Sequence, residues 1–254
     1  MLRFLFTPRW LILLVVVVLL GLACVRLSQW QFDRYAQRKD SNTLVRTNLA
    51  ADAVPVGELL GPSAEPSSGD EWRPVTASGH YDASRQLAVL YRPREGAAGV
   101  DVVTPFITDA GPAVLIDRGW IPAPSNGNTA PRLPTPAPGP VTITGWVRVD
   151  SDGSASQVQP SEGSVRAISA AAVAPSLPYP LVDGFLLLTA ETPASPDAPA
   201  AADAPDLGGG PSFFYGFQWL FFALLFFGFW CYFAWAEYRQ EKGVRLPVAE
   251  RLSQ

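Results

Sequence analysis

The chain holds one histidine, His80, and two cysteines, Cys24 and Cys231, so the side chains that most often bind metals or relay protons are scarce. A Ser-His-Asp relay could be built only on His80, and no Gly-x-Ser-x-Gly turn presents a nucleophile to it. Cys24 lies near the outer end of one apolar run and Cys231 near the inner end of another, which separates them by roughly 10–15 Å in depth. They are expected to share neither a metal nor a disulfide. Gly208–Gly210 precedes an apolar helix instead of linking a strand to one, and so is no phosphate cradle. This supply predicts no catalytic residue, no metal site and no cofactor-binding residue. The expectation is a protein that acts by contact and is not an enzyme.

Contact chemistry is better provided for. Arg26, Trp30, Arg34 and Arg38 recur every fourth residue and share one face of a helix. Two readings fit: an interface anchor, with Trp in the headgroup belt and Arg on lipid phosphates, or a face docked on a membrane partner. Tyr215, Gln218, Phe222 and Leu225 share a second helical face, on which Gln218 is polar at membrane depth. It either sits at headgroup level or hydrogen-bonds the companion helix or a partner. Gly216 and Ala223 allow close helix approach nearby. In the run Ala113–Arg118, alternation places Val114, Ile116 and Arg118 on one face and Leu115 and Asp117 on the other. Gly119 then permits a tight turn and Pro122 ends pairing. Trp120 would cap the core and Arg118 would tie down loop carbonyls, with direct contact to a partner as the other reading. Arg92 with Asp101 or Asp117 reads as an internal charge pair.

These residues must be positioned by a membrane-bound frame. No charged residue occurs from Trp10 to Val25, nor from Leu207 through Ala236, and about 20 apolar residues cross a bilayer as a helix. The expected organisation is a cytoplasmic N-terminus (1–9), a transmembrane helix (10–30), an external β-rich domain (31–212, with 193–211 a flexible tether), a second transmembrane helix (213–236) and a cytoplasmic tail (237–254). Arg239, Lys242, Arg245 and Arg251 follow the second run, while no Lys or Arg lies between Ala167 and Ala236, which puts the tail inside. A signal peptide competes for the first run, but Gly21 stands where a lipoprotein cleavage site wants an aliphatic residue. A bacterial plasma membrane is the simplest address, with lipids as neighbours. The middle segment, Leu27–Ser212, carries 12 Lys/Arg against 20 Asp/Glu, which argues against nucleic acid as a partner. Seven short strands are expected, at Arg73–Tyr81, Gln86–Arg92, Val100–Thr108, Ala113–Gly119, Val141–Asp150, Val165–Ser169 and Phe185–Thr189. A short helix is expected at Ala170–Val173 and a Pro-rich loop at Pro122–Pro140. The fold class is therefore α+β, with two transmembrane helices flanking an antiparallel β-barrel or sandwich.

Three segments, taken together, carry a family resemblance. Trp30-Gln31-Phe32-Asp33-Arg34 leaves the first apolar run as Trp-Gln-x-x-Arg. Gly79-His80-Tyr81, Tyr91-Arg92, Gly99, Thr104-Pro105 and Asp117-Arg118-Gly119-Trp120-Ile121-Pro122 follow in order. Tyr215-x-x-Gln218-Trp219, with Phe222-Ala223, opens the last helix. The chain thereby resembles the Surfeit locus protein 1 family of cytochrome c oxidase assembly factors. The resemblance implies oxidase subunits as partners, bound through Trp30, Gln31, Arg34, Tyr215, Gln218 and Trp219, with Arg118 and Trp120 as further contacts. It leaves open a transient factor or a retained subunit of the respiratory supercomplex. The alternative is a membrane-tethered external binding or scaffolding protein of the cell envelope. Relatives carry a histidine before the last helix that the resemblance ties to heme a. Here that place reads Gly210-Pro211-Ser212-Phe213, so heme a binding is not expected.

Overall fold

The computed structural model describes residues 3–61, 66–123 and 132–243. Arg245 and Arg251, part of the Pro-rich loop and most of the tail lie outside the described residues. The chain forms two compact units, Met1–Asn42 with Leu207–Gln254, and Thr43–Asp206.

Two helices long and apolar enough to cross a membrane dominate the first unit. Helix α1 runs unbroken from Pro8 to Leu49, and α4 spans Ser212–Gly243. The first helix continues past Trp30, as the four-residue spacing of Arg26, Trp30, Arg34 and Arg38 implies, and ends only at Leu49. No Gly or Pro occurs from Val25 to Leu49, so nothing breaks the backbone ladder. At 1.5 Å per residue α1 is about 63 Å long, roughly twice a hydrocarbon core. The less exposed positions of α1 fall at Trp10, Leu14, Val17, Gly21, Cys24, Ser28, Gln31 and Tyr35, alternately four and three apart. On α4 they include Gly216, Trp219, Ala223, Phe226 and Trp230. That alternation is the seam spacing of a left-handed helix pair. Trp10 meets Trp230 edge-on at 6.0 Å, and Phe32 meets Phe217 at 5.4 Å, which makes the pair antiparallel. Gly216 sits under the Phe32 ring, where a Cβ would come within 2.8 Å.

The second unit is a sheet of eight strands: β1 (Val54–Pro55), β2 (Pro74–Tyr81), β3 (Leu87–Val89), β4 (Gly99–Thr108), β5 (Ala113–Pro122), β6 (Val141–Arg148), β7 (Ser164–Val165) and β8 (Leu181–Thr192). The order is β1-β2-β6-β8-β5-β4-β3-β7, and β2 also pairs with β4. Five strands thus form a closed circuit of ladders, β2-β6-β8-β5-β4 and back to β2. Gly79 is the corner, opposite Val141 of β6 and Thr108 of β4. A Cβ there would fall 2.0 Å from the Ile107 carbonyl oxygen, so only glycine lets the strands approach.

The expected purely antiparallel sheet is corrected to a mixed one: β1–β2, β3–β7 and β5–β8 pair parallel. The cause is the long return of the chain, which brings β8 between β6 and β5 more than fifty residues after β5 ends. Alternation divides the core as the sequence suggests. Val114 and Ile116 join a cluster with Phe106, Ile143 and Leu186, while Leu115 packs with Val89, Val103 and Phe185. Two four-residue helices, α2 (Ala155–Val158) and α3 (Ala170–Val173), lie between β6 and β8. The Asp150 carboxylate caps α3, accepting from Ala170 N at 2.8 Å and Ala171 N at 3.0 Å.

The tight turn expected at Gly119 is instead a β-bulge. Asp101 pairs with Trp120 and Val103 with Asp117, so Arg118 and Gly119 together oppose one residue. Strand β5 therefore continues to Pro122, which pairs with Gly99. Gly119 takes φ +123° there.

Candidate functional site

The most specific sequence run, Asp117–Pro122, is positioned by that bulge. Arg118 is 2 % exposed. Its Nη1 donates to Gln86 Oε1 at 3.0 Å and to the Pro134 carbonyl at 2.8 Å, and Nη2 donates to Ser195 Oγ at 3.2 Å. The guanidinium also lies 5.4 Å from the Tyr81 ring centroid. Tyr81 donates its hydroxyl to Glu191 Oε2 at 2.8 Å, and Glu191 Oε1 accepts the Ser195 amide at 2.7 Å. Burial pulls Arg118 below the ordinary guanidinium value, while Tyr81 and Glu191 act the other way. Burial, then Glu191, pushes the Tyr81 phenol up. The arrangement is a buried cation fixing β2, β5, β8 and three loop segments. Arg118 ties down a loop carbonyl as expected. The guanidinium faces the interior of the sheet unit.

A polar cleft of about 320 Å³ adjoins the bulge, lined by Arg92, Arg94, Asp101, Asp117, Trp120 and Asp203 among others. Arg92 Nε lies 3.0 Å from Asp101 Oδ2 as an ion pair, without the alignment of a hydrogen bond. Arg94 pairs with Asp203. Trp120 donates its indole N–H to the Arg92 carbonyl at 2.6 Å. Its ring covers Gly99, where a Cβ would clash at 2.1 Å. Asp117 is 5 % exposed and accepts one bond, from Gly119 N at 3.0 Å. Burial, reinforced by Asp101, pushes its carboxyl up to about 7; Gly119 N–H and Arg92 oppose this. Asp101 is also raised by burial, against Arg92 and Arg94.

The raised Asp117 has a stability consequence. Between its ordinary value and about 7 the folded state holds a proton that the unfolded state has released, so stability falls as pH rises through that window. Asp117→Asn keeps an oxygen for Gly119 N–H and removes the buried charge. The variant is expected to raise the thermal midpoint of the detergent-solubilised chain by about 3–5 °C at pH 8 and by little at pH 5. An unchanged midpoint at pH 8 would contradict the buried-charge account.

Residues 193–203, expected as tether, are fastened to the sheet unit. Ser195 Oγ accepts from Ala137 N at 2.9 Å as well as from Arg118. Ala200 exchanges backbone bonds with Trp120 at 2.8 and 2.9 Å. Small side chains and local Pro residues made this stretch look unstructured, but its backbone polar groups find partners on β5. Gln86, Glu191 and Ser195 were not singled out from the sequence. Gln86 and Ser195 lie 32 and 77 residues from Arg118, Glu191 lies 110 from Tyr81, and no local pattern marks them.

On the helices, Arg26, Trp30, Arg34 and Arg38 are all exposed, as are Tyr215 and Gln218. Gln218 makes no hydrogen bond among the described residues. Gln31 and Trp219 belong to the seam and are half-buried. His80 is exposed on β2. No group of three or more His, Cys, Asp or Glu suited to a metal ion occurs among the described residues.

Residues 18–224 match the model of the SURF1 family. The chain belongs to the SURF1 family. A SURF1-like protein of Mycobacterium tuberculosis is 34 % identical over 247 residues, covering 95 % of this chain and 89 % of that protein. The cytochrome oxidase assembly protein SHY1 of Saccharomyces cerevisiae is 33 % identical over 98 residues, 37 % of this chain and 24 % of SHY1. Surfeit locus protein 1 of Gallus gallus is 29 % identical over 122 residues, 42 % and 38 % of the two chains. The SURF1 match takes in α4 through Leu224 and most of α1 as well as the sheet unit. In this SURF1-family chain the Asp117–Pro122 run supports the fold, while Trp30, Arg34, Tyr215 and Gln218 stand exposed on the helices.

Proposed function

We propose that this chain is an accessory factor for assembly of a heme–copper cytochrome c oxidase, acting by contact and not by catalysis. The observation that carries the reading is the division of the helix surface. In a family that includes a yeast protein named for oxidase assembly, the seam uses other positions and leaves Trp30, Arg34, Tyr215 and Gln218 exposed. An exposed Gln within an apolar helix favours a hydrogen-bonding helical partner over lipid tails. The two helices would span a bacterial plasma membrane with both termini cytoplasmic, and the sheet unit would stand on the external side, as the cationic residues that follow the second apolar run favour.

Heme a would not be carried by this chain. An imidazole is the usual axial ligand, and the helical unit has no histidine; His80 is exposed on the sheet unit. Purified protein is expected to show no stoichiometric Soret band.

A deletion strain tests the function. Its membranes are expected to lose at least half of the oxidase heme a signal, restored by the intact chain but not by Arg34→Glu/Gln218→Leu. Tagged protein should bring down oxidase subunits. Subunits lacking heme would mark a transient factor, and the mature enzyme a retained subunit. A normal heme spectrum with no co-purification would overturn the reading.

A further inference from the structure

The helix pair contains a cavity that the docking faces do not use. It measures about 470 Å³ and lies at the end of the pair where α1 begins and α4 closes. Trp10, Trp230, Phe229 and Phe233 form aromatic walls, and Leu13 and Val17 continue it along α1. From Arg9 to Val17 the helix rises about 12 Å, most of one leaflet's hydrocarbon depth.

Two polar features set it apart from a lipid-facing groove. Trp10 is 3 % exposed, yet neither its Nε1 nor that of Trp230 has a hydrogen-bond partner among the described residues. Buried donors without partners are costly, most of all in hydrocarbon. Arg9 and Glu237 both line the cavity, and neither is in an ion pair among the described residues. Arg239, a neighbouring cation among the described residues, is engaged elsewhere, stacked on Trp235 at 4.1 Å. One unpaired cation and one unpaired anion at the same cavity match a zwitterion.

We propose that this cavity seats a phospholipid with a primary-amine headgroup, phosphatidylethanolamine. Arg9 takes the phosphate and Glu237 the ammonium. One acyl chain lies along Leu13, Val17 and Phe229, and the ester oxygens offer the acceptors that the two indoles lack. An anionic lipid would satisfy Arg9 and place its charge beside Glu237. A choline headgroup has no N–H for that carboxylate. The proposal rests on the membrane reading of the helices but not on the oxidase.

The full-length protein, reconstituted with equal amounts of phosphatidylethanolamine, phosphatidylglycerol and phosphatidylcholine, should retain the ethanolamine lipid about tenfold over the others in native mass spectrometry after partial delipidation. Glu237→Gln should abolish the preference over phosphatidylcholine, and Arg9→Gln should lower retention of all three. Both sites lie on helices that tolerate glutamine, and far-UV circular dichroism verifies that the helices persist. Equal retention by the parent protein, a preference for phosphatidylglycerol, or selectivity untouched by Glu237→Gln would each overturn the proposal. A chain that stays soluble without detergent would overturn the membrane reading along with it.

Discussion

Arg118→Met is expected to lower the stability of the sheet unit by about 3–5 kcal/mol, because it removes one partner from a buried charged network. Methionine fills much of the same volume, so the loss reports the bonds more than a cavity. Gln86 Oε1, the Pro134 carbonyl and Ser195 Oγ each lose a donor. Glu191 loses the nearby cation while still accepting from Tyr81 and Ser195. For a unit of this size the thermal midpoint should fall by roughly 10 °C, followed by near-UV circular dichroism of the full chain in mild detergent. Arg118→Lys should recover only part, since an ammonium cannot span donors that the guanidinium fork reaches together. A midpoint within 2 °C of the parent for Arg118→Met, roughly the span of 1 kcal/mol, would mean that the network contributes little.

Gly119→Ala is expected to be nearly as severe and to act locally first. At φ +123° a side chain is strained by about 1–3 kcal/mol, and its Cβ would fall 2.2 Å from the Ala200 carbonyl. The strap must move, and the two Trp120–Ala200 bonds, about 1 kcal/mol each, are lost with it. The sharper readout is limited proteolysis, with cleavage between Thr192 and Ser212 accelerating well before global unfolding. Gly96→Ala is the control: φ is +82° but nothing lies within 4 Å of the added atom, so strain acts without displacement. Equal proteolysis of both variants would remove the strap from the explanation.

Much of the fold was legible because it is local. The apolar runs marked both helices, alternation from Ala113 to Arg118 sorted the two core faces, and Ala170–Val173 is a helix as its composition suggested. What escaped depends on distant pairing. A parallel ladder between β5 and β8 leaves no mark on either strand's alternation, so the sheet read as antiparallel. A bulge needs one glycine, as a turn does, and Asp117–Pro122 was read as the commoner of the two. At the helices, charge and aromatic spacing identified the exposed stripe of Trp30 and Arg34. The seam beside it uses Gly21, Cys24 and Ser28, whose small size is a weak signal within an apolar run.

The place of β8 in the sheet has a consequence for how the protein is made. The last strand synthesised lies at the centre, between β6 and β5. Until Leu181–Thr192 leaves the ribosome, both neighbours present unpaired edges, the kind of surface that recruits other chains. The circuit of strands therefore cannot close early, and its long-range pairings fold slowly. Only nineteen residues then separate β8 from α4, so sheet closure and synthesis of the second helix fall close together in time. A premature stop anywhere before β8 would cost the whole sheet unit, not the final helix alone.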